Sequence, residues 1–567
     1  MTELLTSAQM RAIEREAIGS GRVSGLELME RAGRGVVEAI FEEWPELRAG
    51  TFRAVVLCGP GNNGGDGFVV ARLLKEWGWG VEVYLYGDAE KLPPDAQANH
   101  DRWIGMGEVL QLEVLNASVD VRPGLTVDLI VDALFGIGLT RTLPDAVTEV
   151  FCYYFRGYLD GRLVAVDVPS GLCADSGRPL VPQGTKPDLW PALMGMVAEA
   201  TLTVTFHRAK PGHFLDVGPR HCGRLVVKDI GLVQAHMPKA IGQVEAASYL
   251  RDVGKSSTEH KFTHGHALVL SGPSGRCGAA RLAARGALRI GAGVVTVGCP
   301  PEAIPENAAR LDAVMLREVT DAVALQSLLE DRRINALCIG PGLGTGAREA
   351  ALVGVALGLS AGRPLTPPLV GEGGRSGQGA APDDPSLPLL RVGGGQGRGT
   401  CRIVIDADAL TILSQYPDLF AALHPACVLT PHAAEFARLF PDIVEKLHAP
   451  AAAGPAYSKV DATREAARRA GCTVLFKGPD TVIADPSGQC SVNAAVYDRA
   501  APWLATAGSG DVLAGFITGL MARGFDPMRA AETAAWLHVE CARQFGPGLI
   551  AEDLPEQLPG VFRSLSL

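Results

Sequence analysis

The chain has 567 residues, of which 47% are hydrophobic and 20% are charged, and its formal net charge at pH 7 is −10. This length exceeds what one hydrophobic core supports, so at least two domains are expected, and the composition excludes a disordered chain. The negative charge argues against a nucleic-acid-binding surface, and no apolar run reaches the roughly 20 residues of a membrane helix. The N-terminal stretch lacks the apolar region of a signal peptide, and the scattered cysteines favour free thiols, so we expect a cytoplasmic protein.

Short apolar strands alternate with helical segments through the first 232 residues. The first predicted strand covers residues 54–57 and is followed by a glycine-rich turn, a helix over 66–77 and a strand over 81–86. Continuous apolar strands separated by helices are typical of a parallel sheet that is covered on both faces. Further strands are predicted at 129–131, 163–166, 202–206 and 225–227.

Mixed polar composition at 233–254 predicts a linker, after which the alternation of strands and helices restarts. We therefore predict an N-terminal domain at 1–232 and a C-terminal domain at 255–567. Residues 358–400, dominated by Gly, Pro and Ser, are expected to form a disordered insertion because they offer little apolar surface to bury. In the second domain, strands are predicted at 266–270, 294–297, 336–339, 403–405, 427–429 and 473–476, and helices at 278–290, 511–522 and 527–545.

The segment CGPGNNGGDG at 58–67 joins the first predicted strand to its helix. Glycines let a backbone approach a ligand closely, and the N-terminus of a helix offers unpaired amides to phosphate. Asn62, Asn63 and Asp66 add oxygen atoms suited to a hydroxyl group or a hard cation. A tight turn is the alternative interpretation, but a run of this length favours a ligand site.

Two further strand ends carry an aspartate followed by a glycine turn, in VDALFGIGLTR (131–141) and VDVPSGL (166–172). Ligands of open α/β sheets bind outside the carboxyl ends of the strands. One aspartate at such a place is usually a helix cap. Three such loops, each with an acid or an amide, predict that they converge on one crevice.

These motifs, together with FHRAKPGH at 206–213, resemble the N-terminal domain of the NAD(P)H-hydrate epimerase family over nearly all of residues 1–232. The resemblance implies a Rossmann-like three-layer fold, with Asp167 as the acid/base that exchanges configuration at the hydroxylated ring carbon. It implies a potassium ion (K+) held by Asn63, Asp132 and Ser170. His207, Lys210 and His213 are structural candidates. The hydrated cofactor is expected at Asn62, Asn63, Gly64, Gly65, Asp66, Gly136, Ile137, Gly138, Leu139, Thr140, Arg141, Thr142 and Asp167.

In the second half, the run ATAGSGDVLAG at 505–515 opens a long helix. The backbone amides of this run are expected to form an anion hole at the N-terminus of the helix. Asp511 lies where a base could deprotonate a hydroxyl group. The run is similar to the GxGD signature of ribokinase-like kinases, and by itself it identifies only that superfamily. The segments that narrow the choice are GPGLG (340–344), DADAL (406–410), TPH (430–432) with Glu435, and KGPDT (477–481).

With residues 261–266 and 278–279, these segments resemble the ADP/ATP-dependent NAD(P)H-hydrate dehydratase family over 255–555, apart from the insertion. The resemblance implies a ribokinase-like α/β domain that phosphorylates the hydroxyl group of the S hydrate and then eliminates phosphate, with ADP as co-substrate and Mg2+. Asp511 is the implied catalytic base. The sequence departs from the family pattern at Ala507 and at Pro502-Trp503, which leaves substrate fit in doubt. The nucleotide is expected at Lys477, Gly478, Pro479, Asp480, Thr481 and Gly510, and the hydrated cofactor at Ala279, Gly342, Gly344, His432 and Asp511.

The two resemblances together predict a bifunctional repair enzyme for hydrated NADH and NADPH, with no nucleic-acid or membrane partner and with homo-oligomeric assembly. The tandem arrangement resembles that of bacterial family members that use ADP, which implies a preference for ADP over ATP, although no single residue sets that choice. Two alternatives stay open: a ribokinase-like kinase that releases a phosphorylated small molecule, and an N-terminal domain that binds without catalysis. Activity of the N-terminal domain is favoured because Asn63, Asp66, Asp132 and Asp167 are all present.

Overall fold

The structure, a computed structural model, describes residues 2–117, 127–151, 161–185, 197–233, 240–245, 252–256, 258–365 and 401–567. The chain divides into two compact units. The N-terminal domain comprises Thr2–Gly242 together with Lys446–Asp461, and the C-terminal domain comprises Gln243–Glu445 and Ala462–Leu567. Residues 366–400 of the predicted insertion lie outside the described residues.

A seven-stranded parallel sheet forms the centre of the N-terminal domain. The strands of this part of the chain are β1 (Thr2–Leu4), β2 (Arg53–Cys58), β3 (Gly80–Leu85), β4 (Val109–Gln111), β5 (Leu129–Ala133), β6 (Arg162–Val166), β7 (Leu202–Phe206), β8 (Arg224–Lys228) and β9 (Ile241–Gln243). The sheet order is β4-β3-β2-β5-β6-β7-β8, so the direction of progression reverses between β2 and β5. The strand interiors, such as Val131, Val164 and Val204, are fully buried. The predicted parallel sheet, covered on both faces, is confirmed.

The helices of the N-terminal domain pack closely against the sheet and against each other. Two of them, near the start of the chain, were not predicted, although both begin with a capping box in which Thr6 pairs with Gln9 and Ser24 with Glu27. Helix packing is close enough that a Cβ atom on Gly33 would lie 2.5 Å from Val69 Cγ1. The helices are α1 (Ser7–Gly19), α2 (Gly25–Glu43), α3 (Asn62–Glu76), α4 (Pro94–Ile104), α5 (Leu112–Ala117), α6 (Asp145–Val150) and α7 (Gly218–Cys222).

The C-terminal domain contains a larger, mostly parallel sheet. Its strands are β10 (His266–Leu270), β11 (Val294–Cys299), β12 (Met315–Glu318), β13 (Ile334–Ile339), β14 (Arg402–Ile405), β15 (Cys427–Leu429), β16 (Thr473–Phe476), β17 (Asp480–Ala484) and β18 (Cys490–Ala494). They follow the order β18-β17-β16-β15-β14-β13-β10-β11-β12. Only the β16–β17 and β17–β18 pairs of this set are antiparallel. The direction of progression reverses between β10 and β13, so this sheet has a switch point as the first sheet does.

Helices cover both faces of this second sheet, and two of them lie in direct backbone contact. A Cβ atom on Gly515 would lie 2.1 Å from the Ala283 carbonyl oxygen, and one on Gly519 would lie 2.6 Å from the Ala287 carbonyl oxygen. Glycine at both positions therefore allows the close approach of α8 and α17. The helices are α8 (Gly278–Arg289), α9 (Ile304–Ala308), α10 (Ala322–Leu328), α11 (Ala347–Ala356), α12 (Ala407–Gln415), α13 (Pro417–Ala421), α14 (Ala433–Leu439), α15 (Pro441–His448), α16 (Lys459–Ala470), α17 (Ser509–Ala522), α18 (Pro527–Phe545) and α19 (Asp553–Ser564).

The segment 446–461 belongs to the N-terminal domain, although the chain around it belongs to the C-terminal domain. The buried guanidinium of Arg178 donates hydrogen bonds to the carbonyl oxygens of Ala449 and, at 3.2 Å, Tyr457. The Gly454 amide donates to the carbonyl oxygen of Thr140 at 3.0 Å. This segment was not predicted, because its composition resembles that of an ordinary loop between two helices.

Candidate functional site

Asn62 to Asp66 form the first turn of helix α3, which begins four residues earlier than predicted. A Cβ atom on Gly64 would lie 2.0 Å from the Gly59 carbonyl oxygen, and one on Gly65 would lie 2.5 Å from Met29 Sδ. Packing within the protein therefore already requires glycine at both positions. Gly61, in contrast, faces open space.

Asp132 and Ser170 form a buried pair between the ends of β5 and β6. The Ser170 hydroxyl donates to Asp132 Oδ1 at 2.6 Å, and the Ser170 amide donates to Oδ2 at 2.8 Å. Burial raises the pKa of Asp132 to about 6, against the lowering effect of these hydrogen bonds. Among the described residues no cation pairs with this carboxylate, and buried carboxylates of that kind usually bind a metal or a ligand.

Asp167 follows β6 and is held by Thr205 and Lys210. Its Oδ1 atom accepts hydrogen bonds from Thr205 Oγ1 at 2.8 Å and from Lys210 Nζ at 2.6 Å. Lys210 is 1% exposed, so this is a buried ion pair. Burial by itself would raise the pKa of Asp167, but the Lys210 ammonium and the two hydrogen bonds outweigh burial and hold that pKa below its ordinary value. Lys210, a structural candidate in the sequence, thus contacts the predicted catalytic acid directly.

The backbone at Asp167 is strained and is stabilised by His213. Asp167 has a φ of 68°, in the left-handed region that only glycine adopts at little cost. His213 Nε2 lies 3.0 Å from the Asp167 carbonyl oxygen, while His213 Nδ1 accepts from the Lys210 amide at 3.0 Å. Burial lowers the pKa of His213 to about 4, so its ring is neutral and Nε2 carries the donated proton. His213 therefore joins the backbones of Asp167 and Lys210.

The loop after β5 connects these groups to helix α3. A Cβ atom on Gly136 would lie 2.9 Å from Asn63 Oδ1 and 3.2 Å from Asp167 Oδ2. The Ile137 amide lies 3.4 Å from Asp167 Oδ2, and the buried Asn63 Nδ2 atom has no hydrogen-bond partner among the described residues. The three loops predicted to converge do so. The rest of the predicted cofactor-binding run, Gly138, Leu139, Thr140, Arg141 and Thr142, continues along the same loop, and Gly138 faces open space.

Two more carboxylates face this site. Burial and the nearby carboxylates of Asp167 and Glu14 raise the pKa of Asp66 well above its ordinary value. Burial and Asp167 likewise raise the pKa of Glu14 to about 7, against the lowering effect of Lys210 and Arg11. Glu14 was not predicted as a site residue, because it lies outside the glycine-rich loops. The only sign of it in the sequence is an acidic residue on the apolar side of an amphipathic segment.

The switch point of the C-terminal sheet brings Ala279 and Gly342 together. A Cβ atom on Gly342 would lie 2.5 Å from the Arg276 carbonyl oxygen and 3.5 Å from Ala279 Cβ. Gly272 also contacts Gly342, since a Cβ atom on Gly272 would lie 1.9 Å from the Gly342 carbonyl oxygen. The Gly344 amide donates to Asp408 Oδ2 at 2.8 Å. The first turn of α8 and the loop after β13 therefore form one wall.

Lys477 is held by two buried acids. Its Nζ atom lies 2.8 Å from Asp406 Oδ1 and 3.8 Å from Glu435 Oε2. Asp406 Oδ1 also accepts from Thr430 Oγ1 at 2.8 Å. Burial by itself would lower the pKa of Lys477, but Asp406 and Glu435 outweigh it and raise that pKa. This group, in which a threonine and a lysine contact one aspartate, repeats an arrangement of the N-terminal domain. There the corresponding residues are Thr205, Lys210 and Asp167.

His432 caps helix α14 and leaves much of its ring accessible. Its Nδ1 atom accepts from the Ala434 amide at 3.1 Å, and its own amide donates to Glu435 Oε2 at 2.8 Å. The His432 side chain is 51% exposed. After β16, Gly478 and Thr481 close a tight turn in which Thr481 Oγ1 donates to the Gly478 carbonyl oxygen at 2.7 Å. Pro479 and Asp480 lie within that turn.

The N-terminus of α17 is fixed from behind by His538. Gly508 takes the left-handed conformation there, with a φ of 87°. The Ser509 hydroxyl donates to the Leu504 carbonyl oxygen at 2.9 Å, so it serves the turn. His538 Nε2 lies 2.9 Å from the Ser509 carbonyl oxygen, and burial lowers the pKa of His538 to about 4. The neutral ring therefore donates to Ser509 and orients the first amides of α17.

Asp511 lies in the first turn of α17, close to the lysine group described above. Burial raises the pKa of Asp511 to about 7, with added effects of Asp406 and Glu435 and an opposing effect of Lys477. A Cβ atom on Gly510 would lie 3.4 Å from Lys477 Nζ, which places the predicted nucleotide residues beside the predicted base. A carboxylate that titrates near neutral pH is suited to accept a proton.

The described part of the chain holds no group of three or more His, Cys, Asp and Glu side chains arranged as metal ligands. Within the same residues, no helix is both long enough and apolar enough to cross a membrane.

Two parallel α/β domains, each with an aspartate–lysine pair beside the switch point of its sheet, define a two-domain enzyme that acts on small ligands. Two families match this chain: "YjeF-related protein N-terminus" over residues 25–212, and "NAD(P)H-hydrate dehydratase" over 267–362 and 396–558. The bifunctional NAD(P)H-hydrate repair enzyme of Moorella thermoacetica is 34% identical over 99% of this chain and 97% of its own length. The chain belongs to the family of bifunctional NAD(P)H-hydrate repair enzymes.

Further similarities concern the separate domains. The NAD(P)H-hydrate epimerase of Rhodobacter capsulatus is 50% identical over 41% of this chain and all of its own length. A crystal structure of the ADP/ATP-dependent NAD(P)H-hydrate dehydratase of Bacillus subtilis with ATP/Mg2+ covers 56% of this chain and 99% of its own, at 24% identity and a TM-score of 0.40. The predicted fold class, a Rossmann-like domain followed by a ribokinase-like α/β domain, is confirmed.

Proposed function

We propose that the N-terminal domain interconverts the R and S hydrates of NADH and NADPH and that the C-terminal domain dehydrates the S hydrate at the expense of ADP, giving AMP and phosphate. The observation that carries this proposal is the pair of acid–lysine groups, one at each switch point, in a chain of the repair-enzyme family. A cytoplasmic location and homo-oligomeric assembly remain predictions.

In the N-terminal domain, Asp167 is the proposed acid/base, and the hydrated cofactor is surrounded by Asn62 to Asp66 and Gly136 to Thr142. Asp167 suits this role because it lies at the carboxyl end of β6 beside the open loop after β5. Potassium fits Asn63, Asp132 and Ser170, since Asp132 is a buried carboxylate without a cation partner among the described residues. Bound there, the ion would supply positive charge to Asp132 and order the two loops.

In the C-terminal domain, Asp511 is the proposed base that accepts the proton of the substrate hydroxyl group. The first amides of α17 and Lys477 would stabilise the transferring phosphoryl group, and phosphate then leaves more easily than water would. Magnesium commonly binds through one or two carboxylates together with phosphate oxygens and water. Asp408 and Glu435 offer carboxylates of that kind, and the ion would neutralise charge on the phosphates.

One experiment tests both activities. A mixture of R and S hydrates is given to the full chain with ADP, and recovery of NAD(P)H is followed by absorbance. We expect complete conversion with both domains active and conversion of the S portion alone when the epimerase is inactivated. A phosphorylated product that accumulates without release of phosphate would instead show a kinase.

The proposed preference for ADP is tested separately. It rests on the tandem arrangement, and we expect faster turnover of the S hydrate with saturating ADP than with saturating ATP. Faster turnover with ATP would contradict it and leave the dehydratase proposal intact.

A further inference from the structure

Glu14 is partly buried and lies on the side of helix α1 that packs against the domain. The buried residues of this helix include Ser7 and Met10. Residues seven and four positions apart lie on the same face of an α-helix, so Glu14 shares the face of both. Acids on such a face are rare unless they are paired, because an unpaired buried charge is costly.

Helix α1 is attached to the elements that carry the epimerase site. The Leu5 amide donates to the Ala209 carbonyl oxygen at 3.1 Å, next to Lys210. At the first turn, the Ser7 amide and hydroxyl both donate to Asp175 Oδ1, at 2.6 and 2.8 Å. These contacts attach the helix to the loops after β6 and β7, which carry Asp167 and Lys210. The charges of Asp167, Lys210 and Asp66 act on Glu14 from these elements and from helix α3.

The Glu14 carboxylate accepts no hydrogen bond from the described residues. Asp167, by contrast, has Lys210 and Thr205 as partners. The charged groups close enough to act on Glu14 are the carboxylates of Asp167 and Asp66 and the cations Lys210 and Arg11, and burial together with Asp167 raises the pKa of Glu14 to about 7. Its oxygens are therefore available to a ligand, and its raised pKa favours the protonated form compared with an ordinary glutamate.

The chemistry of the proposed epimerisation needs such a group. The hydroxyl group of the hydrate lies on opposite faces of the ring in the R and S forms. One fixed acid/base beside the ring reaches only one of those faces. Asp167 is fixed, since its side chain and its backbone are both hydrogen-bonded.

We infer that Glu14 is a second catalytic acid/base of the N-terminal site and serves the ring face opposite to Asp167, an inference that rests on the proposed epimerase function. In one direction the hydroxyl group gives its proton to Asp167. The bond between the ring carbon and the ring nitrogen then opens, its electron pair stays on the nitrogen, and the carbon becomes an aldehyde.

Rotation of the aldehyde presents its other face to the nitrogen. The same electron pair re-forms the carbon–nitrogen bond, and the oxygen takes the proton of Glu14. One turnover thus moves one proton from Glu14 to Asp167, and exchange with water restores the starting state. The reverse reaction uses the same two groups in opposite roles.

The test compares Glu14→Gln with Glu16→Gln in the full chain. Glu16 lies on the same helix with its side chain 69% exposed, so it is a matched control. We expect Glu14→Gln to lower kcat for epimerisation by about 10²–10⁴-fold in both directions, with KM little changed, and Glu14→Asp to restore part of the loss. Glu16→Gln should behave as the unmodified chain does.

A pH profile separates catalysis from a structural role. The active form holds one proton, on Glu14, so epimerisation by the unmodified chain should fall as the pH rises through about 7. A profile without that decline overturns the inference even if Glu14→Gln fails to fold. Full activity of folded Glu14→Gln also overturns the inference. This holds even if Asp66→Asn, a change in the other carboxylate at the site, abolishes epimerisation. If the unmodified chain does not epimerise at all, the proposed function fails instead.

Discussion

The two domains contain the same trio of threonine, aspartate and lysine, but they use the lysine differently. In the N-terminal domain Lys210 lies on Asp167, the proposed acid/base itself, and holds its pKa below the ordinary value. In the C-terminal domain Lys477 lies on Asp406, while the proposed base Asp511 lies nearby, and burial raises its pKa to about 7. A lysine on the reacting carboxylate weakens it as a base, whereas a lysine on a neighbouring carboxylate leaves the base strong.

This difference suits two different reactions. Phosphorylation of a hydroxyl group needs one base that is effective at neutral pH, which Asp511 supplies. Epimerisation needs groups that both give and take a proton, and an ionised Asp167 beside a protonated Glu14 is such a pair. The same buried arrangement therefore supports either reaction, depending on which carboxylate the lysine contacts.

The largest effect is expected for Asp511→Asn. An amide keeps the shape but cannot accept the proton, so dehydration of the S hydrate should fall by about 10²–10⁴-fold. Nucleotide binding through Lys477 to Thr481 and epimerisation should both persist. If Asp511 were only a helix cap, its loss would cost about 1 kcal/mol of stability and would change the rate little. A variant that keeps more than about a tenth of the dehydration rate has lost less than about 1.4 kcal/mol in the activation barrier. That result would contradict the assignment of Asp511 as the base.

Asp167→Asn tests the other half of the comparison. We expect interconversion of the R and S hydrates to fall by at least about 10²-fold, while dehydration of pure S hydrate continues. The reason is that the amide removes the proton acceptor of one ring face. Equal loss of both activities would count against independent sites, and a melting curve would distinguish coupling from misfolding.

Lys210→Met should destabilise the N-terminal domain by roughly 3–5 kcal/mol, because it leaves the buried Asp167 carboxylate without its cation. Urea denaturation measures this change. Lys91→Met is the matched control, since the Lys91 side chain is 82% exposed and solvent screens its ion pair with Asp88. Equal losses in the two variants would mean that the Lys210 pair does not stabilise the fold.

The pH dependence of the two activities should have opposite signs. Dehydration needs ionised Asp511, so its rate should rise as the pH increases through about 7 and level off above it. Epimerisation needs protonated Glu14, so its rate should fall over the same range. Both profiles can be recorded on one preparation from pH 5.5 to 8.5, and a dehydration rate that is flat across this range would contradict the role of Asp511.

The smallest effect is expected from the insertion. Replacing residues 362–398 with a short Gly/Ser linker should change dehydration by less than about tenfold, because the connection between β13 and β14 tolerates a change in length. The dehydratase family match passes over residues 363–395, which supports this expectation. A greater loss would show that the segment takes part in the reaction.

The sequence by itself determined the two α/β domains, most of the strands and the loops that carry Asn63, Asp167 and Asp511. These features are local, because runs of apolar residues, glycine turns and helix starts are set by neighbours in the chain. The capping boxes of α1 and α2 were also present in the sequence, although the helices themselves were not predicted.

Only the tertiary structure decided which side chains meet. Lys210 contacts Asp167 across 43 residues and Lys477 contacts Asp406 across 71 residues, and no periodicity specifies such pairs. Whether Gly64 serves a ligand or the Gly59 backbone depends on the same long-range packing. The pKa directions of Glu14, Asp167 and Asp511 follow from burial and from charges on other elements, which exist only once the sheets have formed.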